Sequence, residues 1–280
     1  MAQQRTEYRF TKMHGLGNDF IILDQRDGSA SLSTSKIKTI SHRRTGIGCD
    51  QFIHIKPPQS VDAVARLEMY NSDGQHVGAC GNGTRCVASY LMKDLDIEKL
   101  SIETDGGLLH ARAASINKAE VTVDMGKPVL DWGHIPLLRD VDILNVHIDE
   151  SGLDPAVAVG MGNPHIVFFV DDVAKVHVEA IGPVIEYNSL FPKRTNVEFV
   201  QRMNENTLRM RVWERGVGVT SACGTGACAT VVAAVLRGIA NRKTEVVLDG
   251  GSLFINWREE DDHVLMTGPA TYVCDGTFEV

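Results

Sequence analysis

Two phrases in the chain are nearly identical, ACGNGTRC at residues 79–86 and ACGTGACA at residues 222–229. Each sets a cysteine, Cys80 or Cys223, directly before a Gly-x-Gly step. Apolar residues at helical spacing follow both: Val87, Tyr90, Leu91 and Leu95 after the first, Val231, Val232, Val235, Leu236 and Ile239 after the second. Each cysteine is therefore expected at the start of a helix. A thiol in that position meets unpaired backbone N–H groups and the positive end of the helix dipole, which favour its thiolate. Gly81, Gly83, Gly224 and Gly226 leave those amides bare, and bare amides at a helix start cradle anions. Two such cradles facing each other would hold one carboxylate between two thiols. The chemistry that uses this arrangement is inversion of the carbon next to the carboxylate. One group removes the proton from one face and the other returns a proton to the opposite face, with neither crossing the substrate plane.

Other uses of the phrase fail on their own chemistry. A phosphate-binding P-loop needs lysine after its last glycine, where Thr84 and Ala227 stand. Zinc sites and thioredoxin-like dithiols need Cys-x-x-Cys pairs, and neither Cys80 with Cys86 nor Cys223 with Cys228 has that spacing. No metal and no cofactor is expected. Cys49, Cys86, Cys228 and Cys274 lack the Gly-x-Gly setting, and burial as small apolar side chains is expected for all four.

These groups must be carried by a scaffold, and composition bounds it. The 280 residues, 43% apolar, suffice for two ordinary cores without disulfides. A formal charge of −8 without a Lys/Arg cluster argues against a nucleic-acid partner. The longest apolar run, ATVVAAVL at 229–236, is too short for a bilayer, and MAQQRTEYRF has no signal-peptide pattern. A cytoplasmic location with no membrane partner is expected, and six cysteines there are expected as free thiols.

The cysteine phrases belong to a longer repeat. GLGNDFII at 15–22 matches GMGNPHIV at 160–167, QFI at 51–53 resembles EFV at 198–200, and LEMYN at 67–71 is echoed by MRVWE at 210–214. All recur in one order at nearly one offset, so the chain reads as two halves of one duplicated unit. FIILD, QFIHI, ARLEMYN and AEVTVDM in the first half, and HIVFFV, TLRMRVW, TEVVLD and SLFINW in the second, have the composition of strands. The expected fold is α+β, with two pseudo-symmetric domains, each a mostly antiparallel sheet wrapped around one central helix. GKPVLDWGHIP at 126–136 reads as the hinge. The expected domains are 1–126, onto which 269–280 pack back, and 127–268.

The phrases MHGLGNDF, YNSDGQHVGACGNGTRC, MGNPH, TNVEFV and WERGVGVTSACGTGACA together resemble the diaminopimelate epimerases, from about residue 10 to TGPATYVCDG near the end. That resemblance implies the family's fold and its reaction, conversion of LL-2,6-diaminopimelate to the meso form on the route to lysine and peptidoglycan, without pyridoxal phosphate or metal. It implies Cys80 and Cys223 as the acid and base pair, with His165 and Glu214 tuning the thiols. Gly81, Asn82, Gly224 and Thr225 would hold the reacting carboxylate. Asn18, Gln51, Asn71, Asn163, Asn196 and Glu214 match substrate-contacting positions, and Arg215 offers a bidentate clamp for the distal carboxylate. The only partners implied are the small-molecule substrate and a second copy in a homodimer; the family often has tyrosine near the dimer surface where this chain has Cys274. Proline and hydroxyproline racemases use a similar two-thiol fold but carry histidine where Asn82 stands. A noncatalytic amino-acid-binding protein would need the cradles and not the thiols.

Overall fold

Consecutive buried positions along FIIL, FIHI, PHIVF and NVEFV show strands buried on both faces, and a helix covers each face. The computed structural model describes residues 6–78 and 80–279; residues 1–5, Ala79 and Val280 lie outside them. The chain divides into two units, Met1–Val123 with Gly268–Val280, and Asp124–Thr267.

The first unit contains β1 (Glu7–Gly15), β2 (Asn18–Asp24), α1 (Thr34–Ser41), β3 (Gln51–Lys56), β4 (Ala65–Asn71), β5 (His76–Val77), α2 (Gly81–Asp94), β6 (Lys99–Thr104), β7 (Gly107–Ala113) and β8 (Glu120–Asp124). The second contains β9 (Val157–Gly160), β10 (Pro164–Phe169), α3 (Val178–Glu186), β11 (Asn196–Asn204), β12 (Thr207–Glu214), β13 (Gly218–Val219), α4 (Gly224–Leu236), β14 (Lys243–Leu248), β15 (Gly251–Trp257) and β16 (Val264–Pro269). The last strand, β17 (Thr271–Glu279), pairs antiparallel with β1 in the first unit.

Strand pairing repeats step for step. In the first unit β1–β2 is antiparallel, β2–β3 parallel, β3–β4 antiparallel, β4–β6 parallel and β6–β7 antiparallel. In the second β9–β10, β10–β11, β11–β12, β12–β14 and β14–β15 follow the same sequence of directions. The sheets are thus mostly antiparallel, with two parallel pairs in each that the sequence reading did not separate out. Those pairs require crossovers, and the crossovers are α1 and α2 in one unit and α3 and α4 in the other.

Alternation then assigns the faces. In the second unit Ile166, Phe168, Val197 and Phe199 join the core packed on α3, with Val178 and Ile185 from the helix. The intervening His165, Asn196 and Glu198 point to the other face, where α4 lies. In the first unit Ile21, Leu23 and Phe52 pack with Ile37 and Ile40 of α1. Helices α2 and α4 are buried almost all round: Gly83 to Ser89 on α2 and Gly226 to Ala234 on α4 are inaccessible, as expected for a helix enclosed by a curled sheet.

Register corrects one detail of the repeat. Phe20 pairs with Gln51 and His165 pairs with Asn196, so the counterpart of Gln51 is Asn196. The likeness of QFI to EFV is therefore out of step by two residues, because both strands carry the same apolar alternation and a two-residue slip preserves it. The stretch 126–136 also differs from a hinge. Val129 bridges Gly160, and Ile135 is buried in the α3 core. Val129 and Trp132 pack partly buried against that core, and the rest of the stretch is more exposed. No helix among the described residues is long and apolar enough to cross a membrane.

Candidate active site

Cys80 and Cys223 occupy the same place in the two repeats. Each is the N-cap of its helix with extended backbone, at φ −144° and ψ 114° for Cys80 and φ −123° and ψ 112° for Cys223. Their carbonyls accept the first helical bonds, from Thr84 N at 2.8 Å and Ala227 N at 3.0 Å. Gly81 and Gly224 are the first helical residues, so Gly81, Asn82, Gly224 and Thr225 all lie in the first turns, where amides have no intrahelical acceptor.

In the first unit the β1–β2 hairpin sets Asn18. Leu16 and Gly17 both have positive φ, 56° and 87°, a tight two-residue turn matched to strand twist. Asn18 Oδ1 lies 3.7 Å from Cys80 Sγ and accepts from Asn82 Nδ2 at 3.4 Å. Asn18 Nδ2 in turn donates to Asp50 Oδ2 at 3.1 Å. Asn82 is oriented by Arg85, a fully buried arginine whose Nη2 donates to Asn82 Oδ1 at 2.7 Å. Gln51 and Asn71 face each other across β3 and β4, with Gln51 Nε2 donating to Asn71 Oδ1 at 3.1 Å.

Asp50 and Arg85 were not singled out from sequence, and both orient residues that were. Asp50 belongs to an ionic cluster. Arg43 Nη2 bonds Asp50 Oδ1 and Asp19 Oδ1, each at 2.6 Å, and Lys12 reaches Asp19 Oδ2 at 2.6 Å. Burial pushes the Asp19 carboxyl up, but hydrogen bonds from Arg43 and Lys12 outweigh it and hold the group well below the usual carboxylate range.

In the second unit His165 is fully buried on β10. Its Nδ1 donates to Glu198 Oε1 at 2.7 Å, and Nε2 lies 2.8 Å from Asn163 Oδ1. Asn196 is also buried; its Nδ2 donates to the Pro164 carbonyl at 2.9 Å and its Oδ1 accepts the Arg215 backbone N–H at 3.0 Å. Asn196 thereby braces the Arg215 turn, and the Arg215 guanidinium reaches the Lys193 carbonyl at 3.2 Å. Glu186, buried at the end of α3, holds the same turn by accepting from Trp213 Nε1 at 2.7 Å and Gly216 N at 2.9 Å. Thr220 donates to Glu214 Oε1.

Cys223 departs from the sequence expectation of a favoured thiolate. Burial pushes its thiol well above the ordinary cysteine value, and the charges of Glu214 and Glu198 push the same way. The Gly226 amide and the Thr225 hydroxyl, 3.7 Å from the sulfur, act in the opposite direction without prevailing. Desolvation of an anion exceeds what a helix start returns. Cys49, Cys86 and Cys228 are buried and form no disulfide, and burial pushes Cys86 up to about 12. Cys274 is exposed, contrary to the expectation of burial, because β17 offers few buried positions along its length.

Comparison with known proteins identifies the family and the fold. The sequence model of the family described as "Diaminopimelate epimerase" matches residues 10–130 and 157–273. The diaminopimelate epimerase of Rhodospirillum centenum is 48% identical, with 96% of this chain and 91% of that one covered. That of Erythrobacter litoralis is 46% identical, covering 96% and 97%. Among solved structures, a phenazine biosynthesis protein of the PhzF family from Enterococcus faecalis aligns with TM-score 0.71 at 12% identity, covering 98% of this chain and all (100%) of that one. A probable proline racemase from Agrobacterium radiobacter K84 aligns with TM-score 0.70 at 14% identity, covering 96% and 92%. These two likenesses establish the fold.

The ionic cluster behind Asn18 has a pH signature. Because the Asp19 carboxyl is held low, its contribution to stability is complete above the unfolded value of about 3.9 and is lost as pH falls below it. Arg43→Ala should destabilise the protein at pH 7 by roughly 0.5–1 kcal/mol, the scale of a partly exposed pair. The difference from wild type should shrink as pH is lowered through about 4 to 2. Urea unfolding followed across that range measures both; a difference that grows in acid would contradict the assignment.

Proposed function

Because the chain belongs to the diaminopimelate epimerase family and is an isomerase, we propose that it interconverts LL- and meso-2,6-diaminopimelate, on the route to lysine and peptidoglycan, by a two-thiol mechanism. The observation that carries this reading is the equivalent placement of Cys80 and Cys223. Each caps a helix buried almost all round, at the same step of a duplicated topology. Duplication supplies two proton-transfer groups where inversion needs two, one for each face of the α-carbon.

In this reading one cysteine, as thiolate, takes the α-proton, forming an S–H bond while the C–H electron pair passes onto the carboxylate. The other cysteine, as thiol, gives its proton to the opposite face of the same carbon and is left as thiolate. The roles reverse with the direction of reaction. The amides of Gly81, Asn82, Gly224 and Thr225 are assigned to the reacting carboxylate, since helix-start amides stabilise the charge that builds up on it. Asn18, Gln51, Asn71, Asn163, Asn196, Glu214 and Arg215 are assigned to substrate, Arg215 to the distal carboxylate. His165 and Glu214 tune the thiols. For Glu214 the support is its charge acting on Cys223. For Asn196 the contacts indicate action through Arg215.

Purified protein should epimerise LL-diaminopimelate and leave proline unchanged. Cys80→Ala and Cys223→Ala should each lower kcat by ~10²-fold or more, the contribution of a positioned acid or base. In heavy water, early product should carry deuterium at the inverted carbon and recovered substrate should not, because a thiol holds one proton and that proton comes from solvent. Full activity in both alanine variants, or equal label in both pools at low conversion, would remove the two-thiol mechanism.

Replacing Arg215 with Met should reduce kcat/KM by the equivalent of roughly 1.5–3 kcal/mol, the worth of a hydrogen bond to a charged group. An unchanged kcat/KM would take Arg215 out of the site.

We also propose a homodimer through β17. Its residues Tyr272 and Val273 are about half exposed, at 52% and 51%, beside exposed Cys274. Sedimentation should give a dimer for wild type and a monomer for Val273→Glu; a wild-type monomer at micromolar concentration would reject it.

A further inference from the structure

The two repeats share a backbone plan and differ in charge at matched positions. Register sets His165 where Phe20 stands, since Phe20 pairs with Gln51 as His165 pairs with Asn196. Two residues along the same strands, Glu198 stands where Ile53 stands. Val197 pairs with Trp213, which sets Asn196 opposite Glu214 as Gln51 is opposite Asn71. The first-turn glycines report the same match independently. A Cβ added to Gly83 would meet Ile53 Cδ1 at 2.9 Å and Phe20 at 3.3 Å. One added to Gly226 would meet Glu198 Oε1 at 2.7 Å and Cys223 Sγ at 3.2 Å.

The floor beneath the helix start is thus Phe20 and Ile53 in the first unit, and His165 and Glu198 in the second. Folding does not require the ionic version, because the apolar one supports the same helix start on the same strands. The ionic version is also incompletely satisfied. Glu198 is fully buried, its Oε1 bonds His165, and its Oε2 has no hydrogen-bond partner among the described residues. A buried carboxylate in that state is unfavourable for folding. Its retention beside a reactive sulfur points to the chemistry of that sulfur.

We propose that Glu198 is a positioning residue of the reaction: its carboxylate fixes His165 with Nδ1 as the donor and sets a negative charge beside Cys223 under the start of α4. The groups facing Cys223 within the unit are Glu198 from β11, Glu214 from β12, and the Thr225 hydroxyl and Gly226 amide from α4, with His165 of β10 acting through Glu198. Both carboxylates disfavour the thiolate, and both have uncharged counterparts in the first unit, Ile53 and Asn71. The duplicated site is thereby polarised, with Cys223 poised to give a proton. This rests on the two-thiol reading of the preceding section.

The experiment measures each thiol separately. Wild type, Glu198→Gln and Glu198→Asp are alkylated with iodoacetamide over about pH 6 to 10, and the peptides bearing Cys80 and Cys223 are quantified by mass spectrometry. Removing the carboxylate charge should raise the Cys223 thiolate fraction near neutral pH about tenfold, equivalent to one pH unit in the midpoint. Cys80 should keep its wild-type profile, and Glu198→Asp, which retains the charge, should keep the wild-type Cys223 midpoint. The alkaline limb of kcat/KM should move to lower pH in Glu198→Gln, because Cys223 then loses its proton earlier, with KM changed by less than about twofold. Glu198→Ile, which copies the first unit, should shift the midpoint in the same direction and serves if the Gln variant does not fold. An unmoved Cys223 midpoint in the charge-free variants, or a lowered Tm with an unmoved alkaline limb, overturns the proposal. Alkylation needs no turnover, so if wild type fails to epimerise diaminopimelate while Cys223 in Glu198→Gln still shifts relative to wild type, the activity is refuted and the role of Glu198 in setting this thiol stands.

Discussion

A helix enclosed on almost every side leaves few of its first amides to water, and the rest of this structure follows from where α2 and α4 begin. Their early turns are buried, so the orphan N–H groups at each start need partners of their own. Cysteine at the N-cap is a poor capping residue, and neither thiol makes a side-chain cap bond of ordinary geometry. Ser, Thr, Asp or Asn would satisfy the helix better. A fold that places a weak cap at the equivalent buried start of both repeats keeps amides and a sulfur in one small volume, at some expense in stability.

Around each start, the sheet supplies side chains through its two-residue period. His165, Asn196 and Glu198 share a face only because β10 and β11 run parallel in one register. Braces then fix those side chains from behind. Asp50 holds Asn18, Arg85 holds Asn82, and Asn196 with Glu186 holds the turn bearing Arg215. Of these braces, Asp50, Arg85 and Glu186 have no assigned contact with substrate. Asp50 and Arg85 each remove a rotamer choice from a side chain assigned to substrate, and Asn196 and Glu186 fix the backbone that carries Arg215, which is how a small site keeps its geometry.

Duplication explains the geometry and divergence explains the electrostatics. Backbone plan, strand directions and helix starts repeat between the units. Phe20, Ile53 and Asn71 answer to His165, Glu198 and Glu214, and these are the substitutions that charge one floor and leave the other neutral. The helix dipole acts at both starts alike, so it cannot distinguish the thiols; neighbouring carboxylates and desolvation can.

The repeat, the strand-rich composition, the helix after each cysteine and the family are all legible without a folded chain. Each rests on local spacing or on motifs read without contacts. The sequence also held unread signals, such as a glutamate inside the apolar run NVEFV and an arginine inside the helix after Cys80. Charges in buried elements demand partners, but the partners of Glu198 and Arg85 could not be named from spacing. Tertiary structure decided the parallel pairs with their crossover helices α1 and α3, the two-residue correction that matches Gln51 to Asn196, and the burial of Ile135 within 126–136. It also decided that Cys274 is exposed and that Cys223 is driven toward its thiol. The reason is common to all of these. Strand direction, register and burial are set by contacts between residues distant in sequence, and the state of a buried thiol is a sum over charges and solvent that only the folded chain assembles.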